Sequence, residues 1–200
     1  SNIWVGVGQM SVKQVTFPLA PIYKRKGIEF HQALATELHA EGSPTLPRPH
    51  VMVRYTDEDR QGVVAPLEYD YLINATGPKL NFGATPGLGP DGHTWSVCTA
   101  GHAAETATAF EDVLVRLHAG ERQTLLIGMG HGTCTCQGAA FEYTFNVEHE
   151  LVKEGVRDRA EVIYITNESQ LGDFGMDGMN FGHKGDVIHS QMFTESLFQE

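Results

Sequence analysis

The sequence is short of three things: cysteine, basic charge and long apolar runs. It has 200 residues and only three cysteines, Cys98, Cys134 and Cys136. An odd count with no C-x2-C spacing argues against a disulfide framework and against a recognisable zinc knuckle. Lysine and arginine total 14 against 25 acidic residues, a formal net charge of -11. Nucleic-acid binding is excluded on that ground, because phosphate contacts need a basic surface. Lys24, Arg25 and Lys26 form the sole basic cluster, which reads as a solvated surface. No apolar stretch approaches the roughly 20 residues needed to cross a bilayer. The start, "SNIWVGVGQM", has neither an initiator Met nor a signal-peptide layout, and reads as an excised piece of a longer chain.

What is present is an α/β pattern. Residues 27–40 read as a strand or short helix after a glycine break, and "EGSPTLPRPH" as a proline-rich connection. "VMVRY", a polar turn at 56–62 and "VVAPLEYDYLINATG" predict a β-meander. Its last strand, Tyr71 to Ala75, is apolar on both faces and is expected to be central. A Gly/Pro-rich linker at 77–92 precedes a helix over about 101–118. "QTLLIG" at 123–128 predicts a buried strand, followed by a glycine loop and a helix from about Cys136 to Lys153. "EVIYIT" at 161–166 closes a strand–helix–strand unit and implies a parallel sheet. A second glycine-rich loop, 172–185, is expected to lead into a helix at 185–199. The domain division expected from these shifts is 1–96, a connecting linker and helix at 97–120, and 121–200.

The loop "GMGHGTCTCQGAAFEY" carries the chemistry. A dinucleotide fingerprint needs G-x-G-x-x-G at the strand-to-helix turn and an acid at the end of the next strand. Gly128 and Gly130 fit, but Thr133 stands at the third position, and the acid is found only at Glu168. The same place suits a thiolate, since backbone N–H groups and the helix dipole stabilise an anion at a helix N-terminus. A small apolar cysteine tucked under the loop would look identical. A zinc set drawn from the three cysteines with His102 or His131 lacks the paired spacing.

"SNIWVGVG", "RKGIEF", "EYDYLINATGPKL", "VCTAGHA" and "CQGAAFEY" stand in an order and at spacings resembling the sulfide:quinone oxidoreductases. These are flavoproteins of the disulfide-reductase type, with flavocytochrome c sulfide dehydrogenase a near relative. The resemblance runs from Ser1 to about Gly182. It implies two Rossmann-like domains, FAD, sulfide and quinone as partners, and sulfur growing on a redox cysteine pair. It places the central redox cysteine at Cys136 by alignment back from "AAFEY", or at Cys134 counting from "LLIG". It places a further family cysteine at Cys98, polar residues near sulfide and flavin at His102 and Glu142, and FAD contacts at Ala35, Ala75, Thr76 and Gly77.

Asp173 stands where a family histidine is expected, unless His183 takes that role. The partner cysteine, the quinone pocket, the membrane-seating helices and the first pyrophosphate loop are expected outside these 200 residues. The chain alone is therefore expected to be soluble, without firm FAD binding or turnover. The whole protein is expected to be peripheral to a bacterial inner membrane, its oligomeric state open. The competing readings are an NADH-dependent quinone or disulfide reductase, and a sulfur carrier or redox sensor using Cys134 and Cys136.

Overall fold

The computed structural model describes the chain except Pro78, residues 130–136, Gly175, Glu200 and the side chain of His183. In chain order the elements are α1 (Asn2–Gly6), α2 (Val12–Val15), α3 (Ala20–Arg25), β1 (Ala33–His39), β2 (His50–Tyr55) and β3 (Val64–Glu68). Then follow α4 (Ala100–His118), β4 (Gln123–Gly128), α5 (Gln137–Lys153), β5 (Ala160–Ile165), β6 (Asn180–His183), β7 (Asp186–His189) and α6 (Ser190–Leu197). They divide into two compact units, Ser1–Thr16 with Leu80–Glu200, and Phe17–Lys79. Packing thus divides the chain near residues 16 and 79. The reason is that α1 packs on α4 and α5, far along the chain.

The first, helical unit is built on β4–α5–β5. The two strands are parallel, in register from Gln123 opposite Ala160 to Gly128 opposite Ile165. Leu125, Ile127 and Val162 face α4 and α5, whose Phe110, Leu117, Val147 and Leu151 form the core with Val7 and Val156. Leu117, Val147, Leu151 and Val156 are essentially sealed from solvent, each burial contributing about 1.5–3 kcal/mol. The strand–helix–strand expectation holds. The expectation that β4 is wholly buried does not, because its residues alternate and Leu126 is 62% exposed. Among the described residues only one face of this two-stranded sheet is covered by helices.

The expected helix at 185–199 is also corrected. Residues 180–189 form an antiparallel hairpin, and helix begins at Ser190. The cause lies in Lys184 and Gly185, both with positive φ (51° and 95°) between the paired His183 and Asp186. A two-residue turn of that hand matches strand twist and closes a hairpin.

The second, meander unit has strand order β1-β2-β3, all antiparallel. Residues 27–40 thus supply a strand, not a helix. Val53 and Tyr55 of β2 are buried, with Arg54 between them exposed, as a half-buried strand requires. Tyr71–Ala75 is not a strand: Tyr71 is 94% and Ile73 90% exposed. A strand apolar on both faces is stable only between neighbours, and none pairs with it among the described residues.

Candidate active site

The first turn of α4 gathers the described part of the site. Thr99 takes extended backbone (φ -123°, ψ 161°) and its hydroxyl accepts from the His102 N–H at 3.2 Å, capping the helix. Thr106 donates to the Ser96 carbonyl at 2.7 Å while also lying 2.8 Å from the His102 carbonyl. The Ser96 hydroxyl in turn accepts from the Cys98 N–H at 3.1 Å. These bonds fix the approach to the helix and set Cys98 immediately before the cap.

The Cys98 thiol is free and exposed. It stands beside the positive end of a 19-residue helix, where an anion is favoured. The His102 ring lies 5.8 Å from that of Phe82, and its buried Nδ1 has no hydrogen-bond partner among the described residues. A cysteine thiol and an imidazole thus stand at one helix end. Sequence reasoning named both and missed Thr99, although a threonine three positions before His102 is an N-cap signal.

The other expected residues fall elsewhere. Glu142 is on α5 and exposed, its carbonyl accepting from Asn146 at 2.7 Å. Its neighbour Tyr143 points inward and donates to the Gly6 carbonyl at 3.3 Å, and burial pushes its phenol well above the ordinary value. Gly128 ends β4 with φ 155°, and a Cβ there would stand 1.8 Å from the Ile165 carbonyl oxygen. That close approach of β4 to β5 accounts for the glycine without a ligand. Gly130, His131, Cys134 and Cys136 lie outside the described residues.

Asp173, at the position expected for a histidine, ties its loop together. It accepts from Ser169 Oγ at 2.7 Å and from the N–H groups of Met176 and Asp177. Glu168, the acid a ribose would need, is likewise engaged, accepting from the Phe174 N–H and Thr166 Oγ1.

The residues expected to touch FAD belong to the meander unit. Ala35 is exposed on edge strand β1, where the register with β2 slips between Ala35 and Glu37. Such a bulge leaves backbone groups unpaired and available to a ligand. Ala75, Thr76 and Gly77 are exposed, held by Thr76 N–H and Oγ1 donating to Asn74 Oδ1 at 3.2 and 2.9 Å. Gly77 has φ 71° and open space where a side chain would stand. Both places fit close backbone approach by a flat group. Among the described residues no group of three His, Cys, Asp or Glu side chains is arranged to hold a metal.

With this geometry in place, comparison with known proteins adds the relationship. No protein-family model matches the chain. The sulfide-quinone reductase of Aquifex aeolicus (strain VF5) is 31% identical over 196 residues, which is 98% of this chain. The chain is similar to a sulfide-quinone reductase. The resemblance seen in separate motifs therefore extends along nearly the whole length, and places the chain beside an oxidoreductase. It spans 38% of the length of that relative. No described helix is long and apolar enough to cross a membrane.

Proposed function

We propose that this chain supplies part of the FAD-binding and sulfide-reacting machinery of a sulfide:quinone oxidoreductase. Identity of 31% over 98% of the chain to a protein named for sulfide and quinone carries the reading. FAD, when bound, would accept two electrons from sulfur and pass them on. In this reading the meander unit and adjoining segments to residue 96 belong to an FAD domain, and residues 121–200 to a second Rossmann-like domain.

The chain's own residues have three tasks. The bulged edge at Ala35 and the open turn Ala75–Gly77 offer backbone to the cofactor. His102, at the first turn of α4, takes up the proton lost when hydrogen sulfide ionises to the nucleophilic hydrosulfide. Cys98, exposed beside the helix terminus, and Cys136, or Cys134 in its place, receive and relay sulfur. Quinone, the second redox partner, and membrane seating belong to the whole protein.

The deciding experiment is reduction of a short-chain quinone by the complete protein, with sulfide or NADH as donor. Sulfide-dependent reduction that collapses in Cys136→Ser or Cys134→Ser and weakens in Cys98→Ser is expected. Turnover on NADH at a comparable rate would overturn the proposal.

A further inference from the structure

A second set of titratable side chains stands in the meander unit, independent of the proposed sulfide chemistry. Glu29 Oε1 lies 3.0 Å from His31 Nε2, and His31 Nδ1 lies 2.8 Å from the Tyr55 hydroxyl. Tyr55 is 6% exposed, whereas the Glu29 side chain is 84% exposed. An ionised carboxylate can only accept, so in neutral His31 the Nε2 carries the proton and Nδ1 accepts from the phenol. In that neutral form the phenol proton points at a base that a carboxylate orients, the arrangement that activates a side-chain O–H. The Arg60 guanidinium carbon sits 3.8 Å from the centre of the Tyr55 ring, paired with Asp57 at 2.9 Å. A tyrosine that serves packing alone needs a partner for its hydroxyl. It does not need one backed by a carboxylate and leading from a buried ring to solvent.

We propose that Tyr55 is an oxidisable residue with a built-in proton acceptor, a place where radical oxidation of the protein is parked. A strong one-electron oxidant, an oxygen-centred radical, takes one electron from the ring and is itself reduced by one electron. The phenolic O–H bond breaks, the proton passes to His31 Nδ1, and a neutral phenoxyl radical is left. The imidazolium so formed keeps its Nε2–H on the Glu29 carboxylate. A small-molecule thiol then gives up one hydrogen atom, the phenol is restored, and the thiyl radical so formed couples with a second one to a disulfide, while His31 releases its extra proton through Glu29 to water. Without the acceptor the same electron loss would leave a radical cation in a buried site, which burial disfavours.

Photogenerated ruthenium(III) tris-bipyridine, acting on the 200-residue chain, is the probe. The chain has 6 tyrosines, so the Tyr55 signal is the phenoxyl absorption that disappears in Tyr55→Phe. In the unmodified chain that signal is expected, with a rate that slows in deuterated water. His31→Gln removes the base and is expected to slow it about a hundredfold. Glu29→Gln, at an exposed position that does not threaten folding, is expected to slow it several-fold by removing the counter-charge. If His31→Gln fails to fold, Glu29→Gln decides alone. The same phenoxyl yield in Tyr55→Phe, or an unchanged rate in either folded variant, would overturn the proposal.

Discussion

The two units hold themselves together by different means. The helical unit seals Leu117, Val147, Leu151 and Val156 between α4, α5 and the β4–β5 sheet. The meander unit buries Val53, Tyr55 and His50 but leaves Leu34, Leu38, Val63 and Val64 more than half exposed. What it lacks in core it replaces with side-chain bonds: Tyr55 with His31, Arg60 with Asp57, Arg48 with Glu68 and Asp70. Hydrophobic burial is the larger stabilising term, and exposed ion pairs contribute little. The meander unit is therefore expected to open at lower free energy than the helical unit. The proposed duties divide the same way, with Cys98 and His102 in the helical unit and the proposed cofactor contacts in the meander unit.

The largest test of that contrast is truncation of a sealed leucine. Leu117→Ala or Leu151→Ala is expected to cost about 2–5 kcal/mol, since neither side chain leaves a cavity that solvent can fill. Leu38→Ala, 57% exposed on β1, is expected to stay within about 0.5 kcal/mol. Denaturant melts followed by circular dichroism would measure both, and equal costs would break the distinction.

Next in size are the glycines. Gly128→Ala forces a Cβ to within 1.8 Å of the Ile165 oxygen and must push β4 from β5, at a cost of about 3 kcal/mol. Gly77→Ala meets no atom, so only its left-handed backbone is penalised, by about 1 kcal/mol. Amide exchange would separate them: Gly128→Ala should loosen Leu125–Gly128 and Val162–Ile165, Gly77→Ala only its own turn. Smaller again, Thr99→Ala removes the cap of α4 and should cost about 1 kcal/mol. It should also raise the alkylation rate of Cys98, whose position the cap fixes, read by timed labelling and mass spectrometry.

How much of this could be read from the residues alone varies with the kind of signal. The β4–α5–β5 unit was legible because apolar periodicity switches from strand to helix and back over 123–165, and burial follows that switch. "VCTAGHA" singled out Cys98 and His102 as candidates, and the structure sets both at one helix end. The β6–β7 hairpin was missed because its strands are 4 residues each, too short for a periodic signal, and Lys184–Gly185 announces a turn only through backbone angles. Tyr71–Ala75 misled for the opposite reason: apolar composition reports what a strand would prefer to touch, and pairing decides whether it forms. The Glu29–His31–Tyr55 chain left no trace at all, since residues 31 and 55 meet only once β1 pairs with β2.

The smallest expected effect concerns charge, and it tests whether the helical unit relies on ion pairs at all. Burial pushes the Glu150 carboxyl up, but hydrogen bonds from Lys153 Nζ and Gln9 Nε2 outweigh it and hold the group below its ordinary 4.5. A depressed folded-state value stabilises above the unfolded value, and that stabilisation is lost as pH falls through the folded one. The helical unit should thus weaken below about pH 4.5, and Glu150→Gln should flatten that limb by no more than about 1 kcal/mol. In the meander unit the Arg60 hydrogen bond holds the Asp57 carboxyl low in the same sense, but Asp57 is only half-buried and its partner Arg60 is exposed, so solvent screens the pair. Asp57→Asn should therefore leave the acid limb of the melt unchanged while loosening the 56–62 turn in amide exchange. A larger change from Asp57→Asn than from Glu150→Gln would mean that the meander unit depends on its ion pairs as the helical unit depends on its leucines.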